Sequence, residues 1–290
     1  MPLIAVRGVE HYYEWVTASG DEIRPTGNKP VLVFIHGWAG STRYWKSTAQ
    51  NFTDRYDCLL YDLRGFGQSR LPRPLPDAVQ QLGYELEGYA DDLAIFLDQL
   101  GVDRVVLNAH STGASIAVLF AAQYPDRVEQ VILTCHGVFE YNALAFKAFH
   151  QVGGYVVAFR PAWLKQIPAV DRMFMARFLK QPIPAADRKA FLEDFLIADQ
   201  EAALGTIYTA VSEKAAIEMP QAYAKITVPT LLISGEFDQI IPVKLGKKAA
   251  AFNPQVKHVI MPNTGHFPML EDRATYLQQV SQFLSSNSQG

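Results

Sequence analysis

Three side chains of the types needed for nucleophilic catalysis stand far apart in this 290-residue chain: Ser111, Asp238 and His266. A hydroxyl is a poor nucleophile at neutral pH. It needs an imidazole to take its proton, and the imidazole needs a carboxylate to fix its tautomer and stabilise its cation. Ser111 lies in Arg104-Val-Val-Leu-Asn-Ala-His-Ser111-Thr-Gly113, where an apolar β-branched run stops and small residues follow. That pattern predicts a buried strand, a tight turn with the serine at its apex, and a helix. The usual form of such a turn is G-x-S-x-G, and here Ala109 replaces the first glycine. Taken alone, Ser111 is read equally well as a helix cap. Asp238 shares Gly235-Glu-Phe-Asp238 with a second carboxylate, Glu236.

The elements that must position these groups are legible in the hydrophobic pattern. Val31–Ile35 is a continuous apolar run read as a strand, and Tyr56–Tyr61, Val131–Cys135, Thr230–Ser234 and Val256–Met261 read as further strands. Leu86, Tyr89, Ala90, Leu93, Phe96, Leu97 and Leu100 recur at helical spacing, with acids off that face and Gly101 as the stop. Ser41 is placed to cap a helix after His36-Gly-Trp38. His11 to Val16 suggests an antiparallel edge strand running into a turn at Ala18–Asp21, and Leu71 to Pro76 a surface loop. From 138 to 225 the strand–helix alternation stops, and the pattern is helical, broken by prolines and dense in Phe, Tyr, Trp and Met. The rhythm resumes with two more strand–helix units, and Tyr276, Val280, Phe283 and Leu284 share a face of the last helix. A mostly parallel sheet with helices on both faces follows, in which residues 1–137 and 226–290 form the core and 138–225 an inserted helical cap. Function in such sheets gathers at the carboxyl ends of the strands, where all the loops singled out lie.

Composition narrows the classes. The chain is 49% hydrophobic and 19% charged, with net charge −3 and no basic run of the kind that binds nucleic acid. Cys58 and Cys135 are far apart in apolar runs and read as buried thiols of a reducing compartment. The first residues carry no secretory pattern, and no apolar stretch reaches the roughly 18 residues of a membrane span. The chain therefore reads as soluble and cytoplasmic, with a polar tail from Ser285 to Gly290 that frays. Gly65-Phe-Gly67 lacks the third small residue of a dinucleotide loop, since position 70 is Arg, so no nucleotide cofactor is expected. His11, His136, His150 and His258 show no metal-ligand spacing, and no metal is expected. Oligomeric state is not legible.

Five stretches in order carry a family resemblance: Phe34-Ile-His-Gly-Trp38, Asp62-Leu-Arg-Gly-Phe-Gly-Gln-Ser69, Ala-His-Ser111-Thr-Gly, Gly235-Glu-Phe-Asp238 and Thr-Gly-His266-Phe. Together they resemble the α/β-hydrolase superfamily, in its capped serine-hydrolase branch, from about residue 8 to 284. The resemblance implies an α/β fold with an eight-stranded, mostly parallel sheet and an inserted helical cap. It implies Ser111 as nucleophile, His266 as general base and Asp238 as orienting acid, in preference to Glu236. The oxyanion hole would be the backbone N–H groups of Trp38 and Thr112. Asp62 and Arg64 would hold a structural turn, and His36 would brace the oxyanion loop.

The partner this implies is a small-molecule substrate with an apolar portion, met by Trp38, His110, Phe139 and Phe267. The cap aromatics and methionines (Phe139, Tyr141, Phe146, Phe149, Tyr155, Phe159, Trp163, Met173, Phe174, Met175, Phe178, Phe191, Phe195 and Tyr208) are expected mostly to pack cap on core, a minority lining a pocket. Lys147, Arg160, Lys165, Arg172, Arg177 and Arg188 read as ordinary charges of helix exteriors. The leading reaction is ester hydrolysis through an acyl-enzyme. Carbon–carbon bond hydrolysis, perhydrolase or cofactor-free haloperoxidase chemistry, and a triad-bearing small-molecule receptor stand as alternatives. A serine at the elbow argues against haloalkane dehalogenase and epoxide hydrolase relatives, which carry Asp there.

Overall fold

A computed structural model describes residues 2–18 and 29–287. Apolar runs form eight strands: β1 (Leu3–Val6), β2 (Val9–Val16), β3 (Val31–Ile35), β4 (Asp57–Tyr61), β5 (Val105–His110), β6 (Val128–Thr134), β7 (Thr230–Gly235) and β8 (Val256–Met261). They make one sheet in the order β1-β2-β4-β3-β5-β6-β7-β8. β2 pairs antiparallel with β1 and β4, and all other pairings are parallel. The edge hairpin turns at Arg7-Gly8, ahead of β2. The turn expected at Ala18–Asp21 falls largely outside the described residues, as do the last three residues of the polar tail.

Before the Ser111 turn come α1 (Lys46–Ala49), α2 (Asp77–Leu82) and α3 (Leu86–Leu100), and after it α4 (Thr112–Gln123). α3 buries the apolar stripe read in its sequence and stops at Gly101 in the left-handed region. Between β6 and β7 run α5 (Ala143–Ala158), α6 (Val170–Met175), α7 (Ala185–Ile197), α8 (Gln200–Ala210) and α9 (Glu213–Lys225). The chain closes with α10 (Val243–Ala250), α11 (Pro268–Glu271) and α12 (Arg273–Ser286).

Side-chain alternation along the strands divides the core in two. Val33, Ile35, Leu107 and Ala109 face a layer with Leu93 and Phe96 of α3, Ala117 of α4 and Tyr223 of α9. Leu32, Phe34 and Val106 face Trp45, Ala49 and, from α12, Tyr276, Val280, Phe283 and Leu284. With both faces covered, the strand ends are left to hold the chemistry. Among the described residues, no helix is long and apolar enough to cross a membrane.

Candidate active site

The turn after β5 is strained in the way the small residues allow. Ser111 sits at φ 52°, ψ −120°, a backbone conformation that L-residues rarely adopt, and its side chain makes no helix-capping hydrogen bond. The capping reading is therefore not what the geometry shows. α4 starts so close to the end of β3 that a Cβ at Gly113 would overlap the carbonyl oxygen of His36. Ala109 needs no such relief, because its methyl points into the core layer beside Ile35 and Leu133.

Three strand ends converge on Ser111. Its Oγ lies 3.0 Å from Nε2 of His266, and Nδ1 of His266 lies 2.8 Å from Oδ2 of Asp238. The other oxygen, Oδ1, accepts the backbone N–H groups of Ile240 and Ile241 at 2.8 and 3.0 Å. Burial alone would raise the Asp238 pKa, but His266 and these two donors outweigh it and hold the carboxyl below its usual range. Glu236 is exposed and accepts the N–H of Asn263, so it takes no part in this chain of bonds. The β7 and β8 loops meet because Gly235 packs against the carbonyl of Gly265, where any side chain would collide.

The His36-Gly37-Trp38 loop is held by side chains on both sides. Leu63 N–H donates to Nε2 of His36 (2.9 Å), which leaves Nδ1–H to donate to the carbonyl of Gly37 (2.8 Å). Burial lowers the His36 pKa to about 4, so the ring stays neutral and braces the loop. Gly37 N–H donates to the Tyr44 hydroxyl (2.6 Å), which lies 3.1 Å from Nδ1 of His110. Nε2 of His110 lies 2.7 Å from the carbonyl of His266. These bonds assign the proton of Tyr44 toward His110 and that of His110 toward His266. Burial, and then the neighbouring His266, drive the His110 pKa well below its usual value. His110 is thus a neutral link between the two loops, its ring edge on the cavity wall. Among the described residues, the N–H groups of Trp38 and Thr112 are donated to no other protein group.

Two contributors had no signal in the sequence pattern. Tyr44 acts through a hydroxyl that spacing does not reveal. Glu271 accepts the N–H groups of Gly265 and Phe267 beside His266, and those of Lys180 and Gln181 across the cleft.

A cavity of about 510 Å³ opens over Ser111 and His266. Trp38, His110, Phe139 and Phe267 all border it, joined by Phe146, Phe149, Phe178, Ile207 and Met219. Trp38 is anchored by its indole N–H on the carbonyl of Ala203 and its ring lies 5.9 Å from that of Phe195. Ser115 and His136 add a polar pair to the wall, 2.9 Å apart, with Tyr223 OH 2.6 Å from the other imidazole nitrogen. The arginines between β6 and β7 are not all alike. Arg188 is paired with Asp171 and Arg160 is bound to the carbonyls of Phe195 and Ala198, whereas Arg177 borders the cavity, the only Lys or Arg to do so among the described residues. The aromatics and methionines between β6 and β7 also depart from expectation. Seven of the fourteen named, Tyr141, Phe149, Tyr155, Phe159, Trp163, Met173 and Tyr208, are exposed rather than packed on the core. Apolar residues on every side of α5 leave some facing out whichever way it packs.

Among the described residues, one group brings three metal-ligand atoms within 4.8 Å of each other: His110, Cys135 and His266. All four imidazole nitrogens are already engaged, and burial pushes the Cys135 thiol well above its usual pKa. That donor set offers an ion no free imidazole nitrogen and no thiolate.

Comparison with known proteins agrees with this architecture. A family model described as alpha/beta hydrolase fold matches residues 30–273. The chain is 26% identical over 274 residues to an uncharacterized protein of Mycobacterium tuberculosis, covering 91% of this chain and 77% of that one. It is 24% identical over 269 residues to a 2-(acetamidomethylene)succinate hydrolase of Mesorhizobium japonicum, covering 91% of each. Among solved structures it resembles a bacterial membrane phospholipase A described as a virulence factor. The TM-score is 0.78 at 26% identity, over 100% of this chain and 86% of that one.

Proposed function

The chain belongs to the alpha/beta hydrolase fold family, and from that membership we propose that it is a serine hydrolase cleaving esters, or related acyl compounds, with a substantial apolar portion. The observation that carries this reading is the unbroken series Ser111 Oγ, His266 Nε2, His266 Nδ1, Asp238 Oδ2, with links of 3.0 and 2.8 Å at the wall of an apolar cavity. The hydrolase and the phospholipase that the chain resembles fit the same reading.

In this mechanism the Ser111 hydroxyl donates its proton to Nε2 of His266 as Oγ attacks the acyl carbon. The imidazolium is stabilised by the Asp238 carboxylate, whose low pKa keeps it charged. Negative charge moves to the former carbonyl oxygen, which accepts hydrogen bonds from the N–H groups of Trp38 and Thr112. Nε2–H of His266 then protonates the departing alkoxide, leaving an acyl ester on Ser111. Water attacks that ester while His266 takes its proton, and collapse returns the serine hydroxyl and frees the acid. Residues 138–225 serve as the cap, and Trp38, Phe139 and Phe267 hold the apolar portion, with His110 as the link behind them.

A fluorophosphonate probe should label Ser111 stoichiometrically, and short and medium p-nitrophenyl esters should turn over. Ser111→Ala should abolish both, with a loss on the order of 10⁶ in kcat. Labelling without turnover of any ester in a broad panel would reject the ester reading in favour of carbon–carbon chemistry or a receptor.

A further inference from the structure

We propose that the face spanning Tyr141 to Met173 docks on an anionic lipid surface. The inference goes beyond the proposed reaction and does not need Ser111. Ten of the seventeen large apolar side chains exposed among the described residues fall in these 33 positions. Leu144 is 82% exposed, Tyr155 78% and Met173 76%, while Phe159 and Trp163 stack edge to face at 6.4 Å in the open. Scattered exposed apolar residues need no explanation, but such a concentration marks a surface that is covered in use.

Charge identifies what covers it. Over the same positions the chain carries Lys147, Arg160, Lys165 and Arg172 against one acid, Asp171, which is itself paired with Arg188 at 2.9 Å; Arg177 and Lys180 follow just beyond. Arg160 is turned inward, Arg177 borders the cavity and the Lys180 ammonium lies 4.4 Å over the Phe237 ring, which leaves Lys147, Lys165 and Arg172 exposed and in no ion pair among the described residues. The whole protein nevertheless has net charge −3. Aromatic and aliphatic side chains interspersed with unpaired cations suit an element lying in the plane of a bilayer, with apolar groups among the acyl chains and ammonium and guanidinium groups at anionic headgroups. A second copy of the chain fits poorly. A two-fold contact through this face would set the same unpaired cations against each other. The face is also continuous with the cavity: Phe149, Val152 and Val156 of α5 border it and are exposed as well. An acyl chain could pass from the bilayer into the cavity without crossing bulk water.

Flotation with vesicles tests this. The protein should float with vesicles of phosphatidylcholine and phosphatidylglycerol in equal parts, less with phosphatidylcholine alone, and less again in high salt. The Trp163 emission should shift to the blue on binding, a shift missing in Trp163→Phe. A triple variant Leu144→Ser, Tyr155→Ser, Met173→Ser lies outside the cavity and should lose binding on the order of tenfold or more while hydrolysing a soluble short ester as before. Lys147→Glu with Lys165→Glu, at two exposed positions, should lose the preference for phosphatidylglycerol. Ser111→Ala should float like the unmodified protein, so failure of the ester reading and failure of this one are distinguishable. Absence of flotation, or equal flotation of the triple variant, overturns the proposal. So does a dimer that the triple variant converts to monomers, which would make the face an interface between copies.

Discussion

The crest of the sheet around Ser111 and the stretch from α5 to α6 are built on opposite rules. At the crest, Gly37, Tyr44, His110, Asp238 and His266 exchange hydrogen bonds of 2.6 to 3.1 Å while almost wholly buried, and two glycines exist to let backbones touch. Along α5 to α6, large apolar side chains stand in the open and most cations have no partner. Under the two proposals made above, the difference separates two tasks. Stabilising a transition state needs groups fixed before the substrate arrives. Meeting an apolar substrate needs surface left uncovered until it does. If that division holds, a change at the crest should alter turnover or folding and leave surface binding intact.

The largest effect after loss of Ser111 itself is expected from Asp238→Asn. Oδ1 accepts two backbone N–H groups, so an amide keeps its oxygen there and turns its NH₂ toward His266. Nδ1 must then accept, the ring proton moves to Nε2, and His266 can no longer take the proton of Ser111. A fall in kcat on the order of 10⁴ follows, with thermal stability and vesicle flotation little changed. Steady-state kinetics on a p-nitrophenyl ester decide it, and retention of a tenth or more of the activity would contradict the role given to Asp238.

Next in size is Gly113→Ala, which probes the backbone of the crest. The new methyl would collide with the carbonyl of His36, on strand-end backbone that cannot rotate away. Forced repacking of this kind costs about 1–3 kcal/mol, read as a lower urea midpoint at unchanged slope. Turnover should fall too, because relief of the collision displaces the Trp38 loop from Ser111. Ala at a typical exposed α5 position such as Gln151 should do neither.

Much of the crest was legible from residue types, and much of the exposed face was not. The bounds of α3 follow from its stripe and Gly101, and β8 runs from Val256 to Met261 as its apolar pattern suggests. Ser111, Asp238 and His266 could be singled out because strand ends gather whatever lies there, and the structure brings them together. The Tyr44 hydroxyl and the Glu271 carboxylate were invisible because they bind backbone N–H groups, which leave no trace in side-chain spacing. Arg177 looked like any surface charge until the fold set it at the cavity. The α5 aromatics misled for a related reason. Periodicity shows which side of a helix is apolar, but α5 is apolar on several sides, and only tertiary contacts decide which of them is covered.

The smallest expected effect concerns the neutral histidines buried at the crest. Burial lowers the pKa of His136 to about 3 and of His36 to about 4, against 6.5 for an ordinary imidazole. As pH falls below 6.5, the unfolded chain binds a proton at each of these positions and the native state does not. Stability therefore declines with acid from these two groups, by about 1.4 kcal/mol per pH unit for each while that difference lasts. Asp62 works in the other direction. Burial raises its pKa to about 7, so the native state takes up its proton first, and stability gains as pH falls from 7 toward 4. The net slope mixes these contributions, but His136→Gln isolates one of them. The variant should be less stable at pH 7.5, since one amide cannot serve both Ser115 and Tyr223 as the ring does. Its stability should also fall less steeply between pH 6 and pH 4.5, by close to one proton's worth. Urea titrations across that range give both numbers, and parallel curves for the two proteins would mean that His136 is protonated in the native state.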